Sequence, residues 1–250
     1  MVWRKWGTGR PLVLLHGGYG SWHHWIRNIQ AFSRGRAVFA PDLPGDGDSA
    51  LPPASVTLEQ YAGIVGDGLE RIVPTGEFDI VGFSYGGLIG GLVAERFGER
   101  VARLVLAGTA GLGTSERTQP LMRVRGIDDP EILAKNQRRN LEILMFKNPE
   151  NIDDLALYLQ TDNGRRSRNR GLPHGGGNAL YEVLPRVSAR VYAIWGDGDA
   201  SAGSLIAERA RFVENLRADA RTTILPGAGH WVAYEAADRF NSLVLDFVEG

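Results

Sequence analysis

One ten-residue stretch constrains this chain more than any other. Phe78-Asp79-Ile80-Val81-Gly82-Phe83-Ser84-Tyr85-Gly86-Gly87 leads from an apolar run into a sharp glycine-rich turn, and Leu88-Ile89-Gly90-Gly91-Leu92-Val93-Ala94 follows. The pattern predicts a short buried strand, a turn spelling G-x-S-x-G-G and a helix, the setting in which G-x-S-x-G marks a nucleophile elbow. Reversing from strand to helix at a single residue strains φ and ψ at Ser84 and demands small neighbours. Gly82 and Gly86 meet that demand, and Gly87 lets the helix lie close to the sheet. The turn lifts the Ser84 hydroxyl above the sheet edge at a helix N-terminus, where peptide dipoles favour developing negative charge. An ordinary glycine-rich turn would spell the same letters, so the hydroxyl needs partners elsewhere in the chain.

The flanking pattern alternates strands and helices. Val2–Trp6 reads as a half-buried edge strand, and Pro11–Leu15 as a strand covered on both faces. Trp22, Trp25, Ile29 and Phe32 form a helical pattern, Ala37–Ala40 a strand, and Leu58–Val73 a helix capped by Thr57. Val101–Ala107 is another buried strand. From about Gly111 to Glu182 the buried strands stop. Helical patterns cover Glu131–Phe146 and Asp153–Leu159, and a polar stretch rich in arginine and glycine runs from Asn163 to Gly177. Alternation then resumes with a strand at Val191–Trp195, a helix at Ser204–Leu216, a strand at Thr222–Leu225 and a closing helix at Phe240–Val248. The expected fold is α/β, a mostly parallel central sheet flanked by helices, with an inserted helical cap. Residues 1–112 and 183–250 form the core and 113–182 the cap.

Bulk properties narrow the function. A hydrophobic content of 43% is enough for a sizeable core. A net charge of −1 gives no reason to expect nucleic acid or an anionic membrane as partner. With 0 cysteines, disulfides, thiolate metal sites and a cysteine nucleophile are excluded. No signal-type N-terminus or membrane-length apolar run is present, so the expected location is cytoplasmic. No metal or cofactor is expected: His23 and His24 are adjacent and cannot share a helix face, and no H-E-x-x-H, G-x-G-x-x-G or Walker pattern occurs.

A serine hydroxyl needs a base to take its proton, and the base needs a third group to fix its tautomer. In a parallel α/β sheet such groups gather on loops beyond the carboxyl ends of strands. His230, in Pro226-Gly227-Ala228-Gly229-His230-Trp231, is the histidine after Ser84 placed on such a loop. The preceding strand ends in Trp195-Gly196-Asp197-Gly198-Asp199, and either carboxylate could orient it.

Together these features resemble the α/β-hydrolase superfamily over roughly residues 11–112 and 185–250, in the branch of serine esterases and meta-cleavage-product hydrolases. The order Ser, acid, His is that family's order. Its usual G-x-x-D spacing maps onto Gly196 and Asp199, which implies Asp199 as the acid. The resemblance implies that Ser84 is the nucleophile, His230 the general base and then acid, and the Gly18 and Tyr85 amides the oxyanion donors. His16 props the donor loop, and Tyr19 is a second candidate donor or a substrate contact. His174-Gly175-Gly176-Gly177 spells a lipase-type oxyanion motif with no strand before it and reads as a loop. The expected substrate is a small molecule with an ester or ketone carbonyl, a small carboxylic ester first. Cleavage of a carbon–carbon bond in a vinylogous diketone acid is the alternative, although Phe83 stands where that branch often has Asn. Receptors and cofactor-free oxygenases or perhydrolases share the fold. Trp231 and Phe146 are candidate pocket walls, and Arg166, in the Arg165–Arg170 cluster, a candidate partner for a substrate carboxylate. Monomer and dimer both remain open.

Overall fold

The computed structural model describes residues 1–173 and 177–250; of the His174–Gly177 motif, residues 174–176 lie outside them. In chain order its strands and α-helices are β1 (Val2–Trp6), β2 (Arg10–Leu15), α1 (Ile29–Phe32), β3 (Arg36–Asp42), α2 (Leu58–Ile72), β4 (Phe78–Phe83), α3 (Tyr85–Phe97) and β5 (Val101–Ala107). There follow α4 (Pro130–Asn140), α5 (Asp154–Arg166), α6 (Ala179–Val183), β6 (Arg190–Gly196), α7 (Ile206–Glu214), β7 (Arg221–Leu225), α8 (Val232–Glu235) and α9 (Ala237–Glu249). The strands form one sheet in the order β1-β3-β2-β4-β5-β6-β7. β1 pairs antiparallel with β3, and every other pair is parallel.

The continuous apolar strands are explained by burial on both faces. Along β2, Val13 and Leu15 pack with α2 and α3, while Leu12 and Leu14 pack on the other side with Trp25, Phe32, Phe240 and Phe247. β4 lies near the middle of the sheet, so the turn after it is held from both sides. Thr57 caps α2 with a full capping box, its hydroxyl accepting from Gln60 N–H while the Gln60 side chain accepts from Thr57 N–H.

Between β5 and β6 the helices depart from the pattern read in the sequence. The segment expected to be helical to Phe146 is α4, capped by Asp129 with Pro130 in its first turn, followed by a single π turn at Leu141–Met145. α5 runs on to Arg166, into the stretch expected to be loop. A tertiary bond accounts for this: Asn163 is fully buried and its Oδ1 accepts from Ser21 Oγ at 2.6 Å. Near the N-terminus, the Trp22–Phe32 pattern breaks into a 3-10 turn at Trp22–Trp25 and the short α1.

Candidate active site

Ser84 sits between β4 and α3 with φ 51° and ψ −116°, a conformation that costs a non-glycine residue about 1–3 kcal/mol. The surroundings force it. A Cβ on Gly82 would lie 2.4 Å from the Gly86 carbonyl oxygen, and one on Gly86 would lie 2.2 Å from that of Leu15. The Ser84 N–H donates to the Ala107 carbonyl at 2.9 Å, anchoring the strained residue to β5.

The carboxyl-end loops of β6 and β7 converge on this turn. Ser84 Oγ lies 3.0 Å from His230 Nε2, and His230 Nδ1 lies 2.9 and 3.0 Å from the two carboxylate oxygens of Asp199. An ionised carboxylate only accepts, so Nδ1 carries the proton and Nε2 presents its lone pair to the hydroxyl. Asp199 is 1% exposed. Burial alone would raise its pKa, but His230 and the hydrogen bonds from Ser201 outweigh it and hold the carboxyl below its ordinary value. Ser201 donates to Asp199 Oδ1 from its N–H at 2.8 Å and from its hydroxyl at 2.7 Å. Asp197 points elsewhere, pairing with Lys147 Nζ at 2.6 Å and accepting from Gly227 N–H at 2.8 Å. The arrangement leaves the imidazole free to take one proton from Ser84.

The Gly18 and Tyr85 segments meet next to Ser84, since a Cβ on Gly18 would lie 3.7 Å from Tyr85 Cβ. Two buried histidines hold the Gly17–Gly18 loop. His16 Nε2 accepts from Leu43 N–H at 2.8 Å, so its Nδ1–H donates to the Gly17 carbonyl at 2.7 Å. His24 Nδ1 accepts from Gly17 N–H at 3.2 Å and its Nε2–H donates to Gln160 Oε1 at 3.3 Å. Burial, assisted by His16, lowers the His24 pKa to about 3, so its ring is neutral. Neither Ser201 nor His24 was singled out for these roles from sequence. Ser201 carries a local signal, a hydroxyl two residues after an Asp, whereas the contact between His24 and Gly17 is tertiary.

A cavity of about 630 Å³ opens beside the turn, lined by Tyr19, Tyr85, Leu88, Ala110, Leu172 and Ala179, with Thr114 and Ser115 as polar groups. No charged side chain lines it among the described residues. Tyr19, at φ 56°, is on this cavity. The other three candidate substrate contacts are not. Trp231 is 0% exposed, donates its Nε1–H to the His24 carbonyl, and packs in the core tilted against Tyr234 and edge-on to Phe146. Phe146 is buried in the same cluster. Arg166 pairs with Asp48 and, at 3.6 Å, with Asp162. The chain after α5 is tied to the loop after β3: Ser167 Oγ donates to Asp46 Oδ1 at 2.6 Å, Asn169 Nδ2 to the Pro44 carbonyl at 3.0 Å, and Arg168 N–H to the Gly45 carbonyl at 2.8 Å. Among the described residues, no group of three or more His, Cys, Asp or Glu is placed to hold a metal ion, and no helix is long and apolar enough to cross a membrane.

Comparison with known proteins gives the same architecture. The dihydrolipoyllysine-residue acetyltransferase component of the acetoin cleaving system of Pseudomonas putida is 30% identical over 96% of this chain, which spans 64% of that protein's length. The 2-hydroxymuconate semialdehyde hydrolase of Pseudomonas sp. (strain CF600) is 30% identical over 97% of this chain and 88% of its own. A crystallised meta-cleavage product hydrolase from Pseudomonas fluorescens IP01 superposes with a TM-score of 0.80 at 25% identity, covering 99% of this chain and 93% of that one. The family model for the alpha/beta hydrolase family matches residues 12–243. The chain belongs to the alpha/beta hydrolase family.

Proposed function

We propose that the protein is a serine hydrolase that cleaves a small, uncharged carboxylic ester through an acyl-enzyme. The observation that carries this reading is the hydrogen-bonded series Ser84 Oγ, His230 Nε2, His230 Nδ1 and Asp199. As Ser84 Oγ attacks the carbonyl carbon, its proton passes to His230 Nε2, and Asp199 stabilises the imidazolium without taking the proton. The oxygen that becomes anionic is met by the Gly18 and Tyr85 N–H groups. His230 then gives its proton to the leaving alcohol, water attacks the acyl-enzyme with His230 as base, and the acid departs. Residues 113–182 act as a cap over a core of 1–112 and 183–250, and the ties from Ser167–Asn169 to the β3 loop support their closing one side of the cavity.

A second reading, hydrolysis of a carbon–carbon bond, is favoured by the relatives: the Pseudomonas sp. (strain CF600) protein is named for a muconate semialdehyde, a carboxylic acid. The absence of a charged side chain among the described lining residues favours the ester, because a buried carboxylate requires a cationic or multiply donating partner. The test compares p-nitrophenyl butyrate with a hydroxy-oxo-dienoate, using wild type and Ser84→Ala. Ester turnover that is lost in Ser84→Ala is the expected result. Turnover of the dienoate alone would replace the first reading by the second, and ester turnover retained by Ser84→Ala would remove both.

A further inference from the structure

We propose that Glu235 is a positioning residue for His230, clamping the loop that carries the imidazole onto the chain returning from the π turn. The inference rests on reading His230 as the base. Glu235 closes α8, and its carboxylate accepts five N–H donors from two separate segments. Oε2 accepts from Gly229 N–H at 2.6 Å and Lys147 N–H at 3.0 Å. Oε1 accepts from Asn148 N–H at 3.0 Å, Asn148 Nδ2 at 3.2 Å and Asn151 Nδ2 at 3.1 Å. A carboxylate is the one side chain that accepts at both ends and donates nothing, so five convergent donors specify it.

The residues on either side of His230 are both secured. Gly229 N–H reaches Glu235, and Trp231 N–H donates to the Met145 carbonyl, the last residue of the π turn, at 2.9 Å. The two segments meet backbone to backbone: a Cβ on Gly229 would lie 2.6 Å from Lys147 N and 2.7 Å from the Met145 oxygen. Asn148 Nδ2 also donates to the Gly227 carbonyl at 2.8 Å, and Lys147 Nζ pairs with Asp197 on the loop that carries Asp199. The clamp therefore sets the imidazole relative to Ser84 through its flanking peptides. Misplacement of a catalytic group by about 1 Å costs as much as about a hundredfold in rate.

The test uses Glu235→Gln, whose amide nitrogen cannot accept and would face N–H groups. It reads kcat and KM on p-nitrophenyl butyrate, and the downfield proton resonance of His230 Nδ1–H, assigned by its loss in His230→Gln. The inference expects kcat to fall about tenfold or more with KM within about twofold, and the resonance to shift or broaden, while the protein still melts cooperatively. Unchanged kcat and resonance overturn it, and so does a fall in kcat that leaves the resonance in place. If Glu235→Gln does not fold, Asn148→Ala takes its place, removing the Nδ2 ties to Glu235 and Gly227 while leaving the carboxylate and the backbone N–H bond to it. A severalfold loss confined to kcat supports the clamp, and wild-type kcat overturns it. A wild type with neither ester turnover nor the resonance would instead overturn the reading of His230 as base.

Discussion

Acid should destabilise this protein through His24, and the size of the effect follows from its setting. The ring is 1% exposed, wedged between the Gly17 amide, Gln160, Phe83 and Trp231. Burial takes its pKa from 6.5 to about 3. The folded value is depressed, so below about pH 6.5 the unfolded chain binds a proton that the folded chain refuses. Stability is therefore complete above that pH and is lost as pH falls towards about 3. At about 1.4 kcal/mol per pKa unit the whole gap amounts to about 5 kcal/mol, and the interval from about pH 7 to about pH 5 accounts for about 2 kcal/mol. The perturbation is His24→Gln, which keeps one acceptor and one donor but does not titrate. Urea unfolding of both proteins across this interval separates the slope from the constant loss caused by the smaller side chain. Wild type should lose about 2 kcal/mol more than His24→Gln between the two pH values, the other titrating groups cancelling in the difference. Parallel pH dependences would refute the reasoning, since a ring already accessible to protons would have the same pKa folded and unfolded.

Asp199→Asn should lower kcat by about a thousandfold or more, because an amide at Nδ1 stabilises the wrong tautomer, while Asp197→Asn stays within a few fold. Steady-state kinetics on one ester decide it, and the reverse order would move the acid to Asp197. Asp46 offers a stability test of opposite sign to His24. Burial, partly offset by His16 and Ser167, raises its pKa, and its Oδ2 has no partner among the described residues. The raised folded value makes its contribution to stability complete at low pH and lost as pH rises through the folded pKa. Asp46→Asn should therefore gain melting temperature relative to wild type as pH rises from about 4 to about 8, and a constant or shrinking difference would contradict this account.

What could be read from sequence was what local chemistry dictates. The elbow was legible because a strand, a strained serine and obligatory glycines lie within ten residues. Pro11–Leu15 and Val101–Ala107 were legible because burial on both faces leaves continuous apolar runs. The placement of His230 and Asp199 within hydrogen-bonding distance followed from glycine-marked loops after successive strands. What sequence hid was decided by distant partners. Asn163 meets Ser21 and carries α5 past its expected end. Arg166 belongs to Asp48, and Trp231 turns into the core to meet the His24 carbonyl. The five donors on Glu235 come from the Lys147–Asn151 segment ahead of α5 and from the His230 loop, a convergence that no spacing rule contains.

The central claim is that Ser84 carries the acyl group. Intact-mass measurement of the protein mixed with p-nitrophenyl butyrate and quenched in acid within the first turnovers tests it most directly. The account predicts a butyryl adduct on wild type that maps to the Ser84 peptide and is absent from Ser84→Ala. Turnover with no adduct in either protein, or an adduct that persists in Ser84→Ala, would contradict it.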